Sequence, residues 1–228
     1  TGIRVLAKYD AESTKTIGLI NRLVNEAEHP VCDAFWNNEI VGTLRLKQKG
    51  LLAAYRPETA QSFPKAFRGP DGCWTGFAAR ARVLLVNTDA VAPDAMPGTL
   101  DDLLKPEWKG KIGIAKPLFG STATWAAVVY TRAQQNAAGD AKSQKEILED
   151  LASGGYLQVV GGNKQSAQNV ASGALAMGFT DTDDAIIEKE AGKPVEIVYL
   201  DSAQDQAGTL FFPNTLSILK DCPHPENA

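Results

Sequence analysis

Cys73-Trp74-Thr75-Gly76-Phe77-Ala78-Ala79-Arg80-Ala81-Arg82-Val83-Leu84-Leu85-Val86-Asn87 is the stretch on which the fold turns. It reads as one long strand, with aromatic residues early and a run of branched aliphatics late. Arg80 and Arg82 alternate with Ala79, Ala81 and Val83, so both guanidiniums share one face. That face suits a bidentate grip on a ligand carboxylate or phosphate, or an ion pair with an acidic side chain between lobes. A strand this long can leave one sheet and enter another. We read it as the first of two passages between two lobes.

Outward from it, strand and helix signals alternate. Upstream come a strand at Ile3–Ala7, a helix at Thr14–Ala27 and a short strand at Val31–Phe35. The polar turn Trp36-Asn37-Asn38 and a helix at Glu39–Lys49 follow, closed by Gly50. Residues 55–72 are rich in Pro, Gly and polar side chains and read as irregular. Downstream come a short helix at Leu100–Leu104, a strand at Lys111–Ala115 and helices at Thr122–Asn136 and Lys142–Ser153. A strand at Leu157–Val160, a helix at Lys164–Ser172 and a strand at Ala174–Phe179 come next. The polar turn Thr180-Asp181-Thr182-Asp183-Asp184 leads to a helix ending at Ala191 and a strand at Val195–Leu200. Leu210–Phe212 and Leu216–Leu219 read as the return passage.

This grammar predicts an α/β fold with two lobes, each a mainly parallel sheet flanked by helices. Lobe 1 is expected to hold residues 1–83 and 209–228, and lobe 2 residues 84–208. The crossing strands are expected near 80–87 and 208–216. No repeat or low-complexity tract interrupts the pattern.

Bulk properties narrow the function. The chain has 228 residues, 44% hydrophobic and 22% charged, as expected of a folded globular protein with two small lobes. Its net charge is −4 and its pI about 5.3, unlike the basic footprint of a nucleic-acid binder. No apolar run approaches the roughly 18 residues of a membrane span. No leader is visible, and both ends read as cut from a longer chain. Cys32, Cys73 and Cys222 form no CxxC pair and no metal-ligand spacing. They read as small buried hydrophobes, with a Cys32–Cys73 disulfide as the alternative in an oxidising envelope.

Five segments, in order, resemble the ferric-iron-type class of periplasmic solute-binding proteins, with the type II binding-protein fold. They are Cys32 to Glu39, Trp74 to Val83, Leu103 to Ile112, Gly173 to Gly178, and Pro213-Asn214-Thr215 leading to Pro223-His224-Pro225-Glu226-Asn227-Ala228. The resemblance implies two lobes closing on a ligand by a hinge. It also implies an ABC-type importer as partner, a periplasmic or cell-envelope location, a monomer, and no cofactor. Relative to that class, a first strand and helix and the last helices are missing.

Candidate ligand residues lie where polar turns meet the carboxyl ends of strands. Tyr9 and Asp10 follow the first strand, with Ala11 and Glu12 behind them. Trp36, Asn37, Asn38 and Glu39 follow the second. Glu39 falls near the place where iron-binding relatives use a glutamate, and a carboxylate suits a hard cation. An acidic residue opening a helix is the competing reading.

Gly120, Ser121 and Thr122 open a helix whose N–H groups make an anion seat, or an ordinary Ser or Thr cap. Gly161-Gly162-Asn163-Lys164 is a weaker anion candidate. Thr180, Asp181, Thr182 and Asp183 form the last group. Glu39 and Asp181 are the expected metal ligands. Iron-binding relatives carry two adjacent tyrosines at this last turn. The five tyrosines here, at 9, 55, 130, 156 and 199, include no adjacent pair.

The expected cargo is therefore a metal ion with an accompanying anion. An organic anion such as a phosphonate, and a polyamine or thiamine-like cation held by Trp36 and the acidic turn, are the alternatives. A hydrolytic enzyme is a remote reading. His29 and His224 sit in Pro-flanked loops, and neither GxSxG nor HExxH occurs. The sensing domain of a transcription regulator would share the fold, but no DNA-binding helix pair is visible.

Overall fold

The computed structural model describes residues 2–10, 17–135, 143–204 and 206–228. The chain divides into two compact units. Unit 1 holds Thr1–Ala79 with Phe212–Ala228, and unit 2 holds Arg80–Phe211. The chain passes between them twice, inside two long strands: β3 (Thr75–Asn87) and β8 (Phe211–Leu219).

The burial of β3 shows why its sequence changes character halfway. Gly76 is buried while Phe77 and Ala79 are exposed. From Ala81 to Asn87 every residue is buried. The alternating half has one solvated face, and the aliphatic half is covered on both. The expected start at Cys73 moves two residues inward, because Gly69 N–H donates to the Trp74 carbonyl and holds the entry in a turn.

Unit 1 contains α1 (Ile17–Asn25), β1 (Ala34–Asn37), α2 (Ile40–Gln48) and β2 (Leu52–Ala53). Its core gathers Ile20, Leu23, Phe35, Leu46, Leu52, Leu219 and Cys222. β1 and β2 both pair with β8 antiparallel, with Trp36 opposite Leu216 and Leu52 opposite Leu219. The expectation of a mainly parallel sheet is corrected here. These strands pair with β8, which runs against them as the chain returns.

Other expectations in unit 1 also shift. Ile3–Ala7 forms no strand. Residues 3–7 join no strand ladder among the described residues, and Val5 and Leu6 are 80% and 75% exposed. A strand needs a hydrogen-bonded partner strand, and none of the described residues supplies one here. Residues 14–16 of the expected first helix lie outside the described residues. Trp36 and Asn37 continue β1 rather than turn out of it. All three thiols are unbridged, Cys32 and Cys73 packing beside the core that includes Cys222. Burial pushes all three thiol pKa values up, so they behave as hydrophobes.

Unit 2 contains β4 (Ile112–Ala115), α3 (Gly120–Gln135), α4 (Gln144–Ser153), β5 (Leu157–Val160), α5 (Asn163–Ala171), β6 (Met177–Asp181), α6 (Thr182–Glu190) and β7 (Val195–Val198). β4 pairs with β5 and β6 in parallel, and β3 pairs with β6 and β7 antiparallel. The sheet is thus the expected parallel one, with β3 laid against its grain. Asn136 and Lys142 lie outside the described residues. Leu100–Leu104 is a single 3-10 turn, Asp101–Leu104.

α4 starts where Ser143 and Glu146 form a reciprocal capping box. α5 packs tightly on the sheet because Gly113 and Gly178 face each other across β4 and β6. A Cβ at Gly178 would come within 2.5 Å of Ser166 Oγ, and one at Gly113 within 2.8 Å of Leu175. The core of the unit gathers Val83, Leu85, Ala167, Val170, Leu175, Ala185 and Val195 beneath this contact.

Candidate functional site

Three helices of unit 2 open at the carboxyl ends of its parallel strands: α3 after β4, α5 after β5 and α6 after β6. Asp181 ends β6 and is fully buried. Register places Arg82 of β3 directly opposite it, so both side chains leave the same face of the sheet. The Arg82 guanidinium donates from Nη1 to Asp181 Oδ1 at 3.2 Å and to Asn163 Oδ1 at 2.9 Å. Ser121 donates to Asp181 Oδ2 at 2.5 Å, and Asn163 Nδ2 donates to the same oxygen at 2.9 Å. Thr122 donates to Asn163 Oδ1 at 3.1 Å. Thr180 donates to the Asn163 carbonyl, and Thr182 Oγ1 accepts from Ala81 N–H.

The network joins the starts of three helices to the middle of β3. Arg82 also lies over the rings of Trp125 and Phe179, at 5.5 and 5.9 Å. Burial pulls the Arg82 pKa down, and the Asp181 carboxylate opposes that shift. Arg80 reaches Asp183 at 3.1 Å and Asp181 at 3.7 Å.

Two features remain open. Gly162 and Asp181 stand at the N-cap positions of α5 and α6, and neither supplies a side-chain cap. Arg80 Nε, Arg82 Nε and Arg82 Nη2 are buried and have no acceptor among the described residues.

This corrects several sequence expectations. Thr180–Asp184 is not a turn holding three carboxylates in one place: Thr180 and Asp181 belong to β6, and Thr182, Asp183 and Asp184 to α6. Asp181 faces inward onto arginine, while Asp183 is half exposed at the rim. Gly120, Ser121 and Thr122 lie inside the first turn of α3, not ahead of it, so the two hydroxyls point into the network. The arginines pair within unit 2, not between lobes. Asn163, central to the network, was legible only as a polar residue opening a helix after Gly161-Gly162.

In unit 1, Glu39 is the N-cap of α2. Its carboxylate accepts from Val41 N–H at 2.7 Å and Gly42 N–H at 2.8 Å. A Cβ at Gly42 would stand 2.1 Å from Ile20 Cδ1 and 3.0 Å from Glu39 Oε1, so glycine leaves room first for α1 and then for the carboxylate. Asn37 is fully buried and donates to Thr43 Oγ1 at 3.0 Å and to the Glu39 carbonyl. Thr43 meets Thr215 of β8 at 2.7 Å. These contacts tie β1, α2 and β8 together.

On the other face of β1, Trp36 is 63% exposed and meets Phe77 edge-on at 4.9 Å. Asn38 is exposed. Tyr9 is 88% exposed, and Asp10 accepts from Leu19 N–H at 3.1 Å near the start of α1. Ala11 and Glu12 lie outside the described residues.

Glu39 and Asp181, the expected metal ligands, thus belong to different units, and each is engaged within its own. Among the described residues no group of three or more His, Cys, Asp or Glu could hold a metal ion, and no helix is long and apolar enough to cross a membrane. On the surface His224 N–H donates to Asp33 Oδ1 at 2.7 Å, and its ring Nδ1 lies 3.2 Å from Asp33 Oδ2.

Comparison with known proteins places this architecture. Residues 43–228 match the family model described as bacterial extracellular solute-binding protein. Over 121 residues the chain is 28% identical to iron uptake protein A1 of Synechocystis sp., covering 49% of this chain and 33% of that protein. Over 111 residues it is 31% identical to the Fe(3+)-binding periplasmic protein of Serratia marcescens, covering 49% of this chain and 32% of that protein. These matches span about a third of the length of each curated relative. Iron-bound HitA from Pseudomonas aeruginosa is similar in structure, with a TM-score of 0.76 at 25% identity, over 92% of this chain and 66% of that one. The α/β architecture and the family model agree over most of the sequence, and the chain belongs to the bacterial extracellular solute-binding proteins.

Proposed function

We propose that this chain is the solute-capturing part of an ABC-type importer in the bacterial envelope, acting as a monomer and a binder rather than an enzyme. Its units are the two lobes of the binder, and its cargo is a metal ion carried with an anion. The anion is held in unit 2, at the start of α5 and α6 beside Arg80. The observation that carries this reading is the set of three buried guanidinium nitrogens without acceptors among the described residues, Arg80 Nε, Arg82 Nε and Arg82 Nη2. They adjoin helix starts whose N–H groups favour negative charge.

The named functions of the relatives, iron uptake and Fe(3+) binding, support the metal. Glu39 and Asp181 already have partners, so the anion supplies oxygen donors that the chain does not gather. Direct ligation by Glu39 or Asp181 requires one of them to give up its present bonds. The cargo shifts the protein toward a closed form only by binding that form better.

The test is a thermal-shift and calorimetry series on metal-stripped protein, with ferric ion alone, citrate alone and the two together. Cargo at 100 times its dissociation constant adds about 2.7 kcal/mol of stability. The expected result is a shift largest with the pair, removed by chelator and cut at least about tenfold in affinity by Arg80→Gln. Ferric binding that is equal with and without anion and indifferent to Arg80→Gln sinks the anion seat. A response only to phosphonate or polyamine sinks the metal.

A further inference from the structure

Residues 55–75 of unit 1, irregular in sequence, fold into a fixed frame. Tyr55 N–H donates to the Gly72 carbonyl at 2.9 Å, Gly69 N–H to the Trp74 carbonyl at 2.9 Å, and Gly72 N–H to the Gly69 carbonyl at 2.9 Å. Arg68 bridges to Thr75, and Arg56 Nη2 donates to the Pro70 carbonyl at 2.7 Å. Two 3-10 turns, Glu58–Ser62 and Lys65–Phe67, complete the rim. The frame borders a half-open cavity of about 610 Å³. That volume falls within the roughly 300–1,000 Å³ of small-molecule sites.

Its lining is one-signed. Arg56, Lys65 and Arg68 contribute three positive charges, and none of the lining residues is acidic. Two acids adjoin the lining in sequence without lining it: Asp71, paired with Lys47 at 2.9 Å, and Glu58, which opens the first 3-10 turn. In a chain of net charge −4 such a concentration of cations is a local exception. Tyr55 and Trp74 supply aromatic wall. Trp74 is 6% exposed, and its indole N–H has no acceptor among the described residues. It lies against Gly69, where a Cβ would come within 2.9 Å of Nε1, so glycine keeps that wall open.

We infer that this cavity is a second anion site, held within unit 1, for a small organic anion with two or more carboxylate or phosphate groups. Three cations without a lining counter-charge ask for a multiply charged partner, and focus the field in a partly enclosed space. The aromatic wall takes the carbon skeleton of the ligand. The site is separate from the anion seat proposed in unit 2 and stands whether or not that seat exists.

Calorimetry on the metal-stripped chain, titrated with citrate and with pyrophosphate, tests it. An Arg80→Gln background removes the other seat. Binding that survives Arg80→Gln, and weakens about tenfold or more in Lys65→Gln and again in Arg68→Gln, is the expected result. Lys65→Arg retains affinity, which separates charge from folding damage. Binding abolished by Arg80→Gln alone belongs to unit 2 and overturns this site. So does the absence of any Lys65- or Arg68-dependent heat at millimolar anion. Capture of acidic polypeptide without either small anion would make the cavity a protein-docking surface and equally overturns it.

Discussion

Glu39 and Asp181 are buried carboxylates at the same position in a helix, the N-cap, one in each unit, yet they are held by opposite means. Glu39 turns its side chain onto the helix it opens and accepts two backbone N–H groups. Asp181 leaves its helix uncapped and turns to Arg82, Ser121 and Asn163. The first spends its charge on local structure, and the second on joining a strand to three helix starts. The difference shows that an acidic residue after a strand does not identify a ligand site by itself. What its oxygens already hold decides how available it is.

The sharpest way to break this comparison is to remove each carboxylate. Asp181→Ala leaves Arg82 buried without its counter-charge, and the expected cost is about 3–5 kcal/mol in urea unfolding. Changing Arg82→Met in the same chain restores most of that, since a buried pair replaced by apolar groups costs little. A loss under about 1 kcal/mol from Asp181→Ala alone would show that water reaches the pair. Glu39→Ala removes a cap and costs less, about 1 kcal/mol. If the two losses come out equal, the distinction between cap and ion pair fails.

Much of the fold was legible because periodicity speaks for layers. The change within residues 73–87 from alternating to continuous apolar residues matched the change from a half-solvated to a fully buried strand. The boundaries of polar turns were less legible. Thr180-Asp181-Thr182-Asp183-Asp184 reads as a polar turn because every residue is polar. Yet Thr180 and Asp181 are fully buried, because Arg82 stands across the ladder 99 positions away in sequence. No local signal carries that pairing. The alternation of Arg80 and Arg82 showed that both faced one way, but not that an aspartate waited there. The cavity at residues 55–75 was hidden for a related reason: Pro and Gly mark irregular backbone without saying what it encloses.

Asp102 gives the smallest effect and extends the comparison to a carboxylate whose partners all lie within four residues of it. Its Oδ2 accepts from Gly98 N–H at 3.0 Å, Thr99 N–H at 3.0 Å and the Thr99 hydroxyl at 2.9 Å. Partial burial pushes its pKa up, but these donors and Lys105 outweigh it, so the group sits below its ordinary value. A carboxylate with a depressed folded-state pKa stabilises the fold above its unfolded pKa, and that stabilisation is lost as pH falls through the folded value. Asp102→Asn is therefore expected to melt earlier than the parent at pH 7, with the gap closing below about pH 4. A gap that stays constant down to pH 2 would mean that the amide's poorer geometry, not the lost charge, sets the difference. Asp102 would then behave as a shape-matched cap, and charge would matter to stability chiefly at Asp181, where another charge is buried with it.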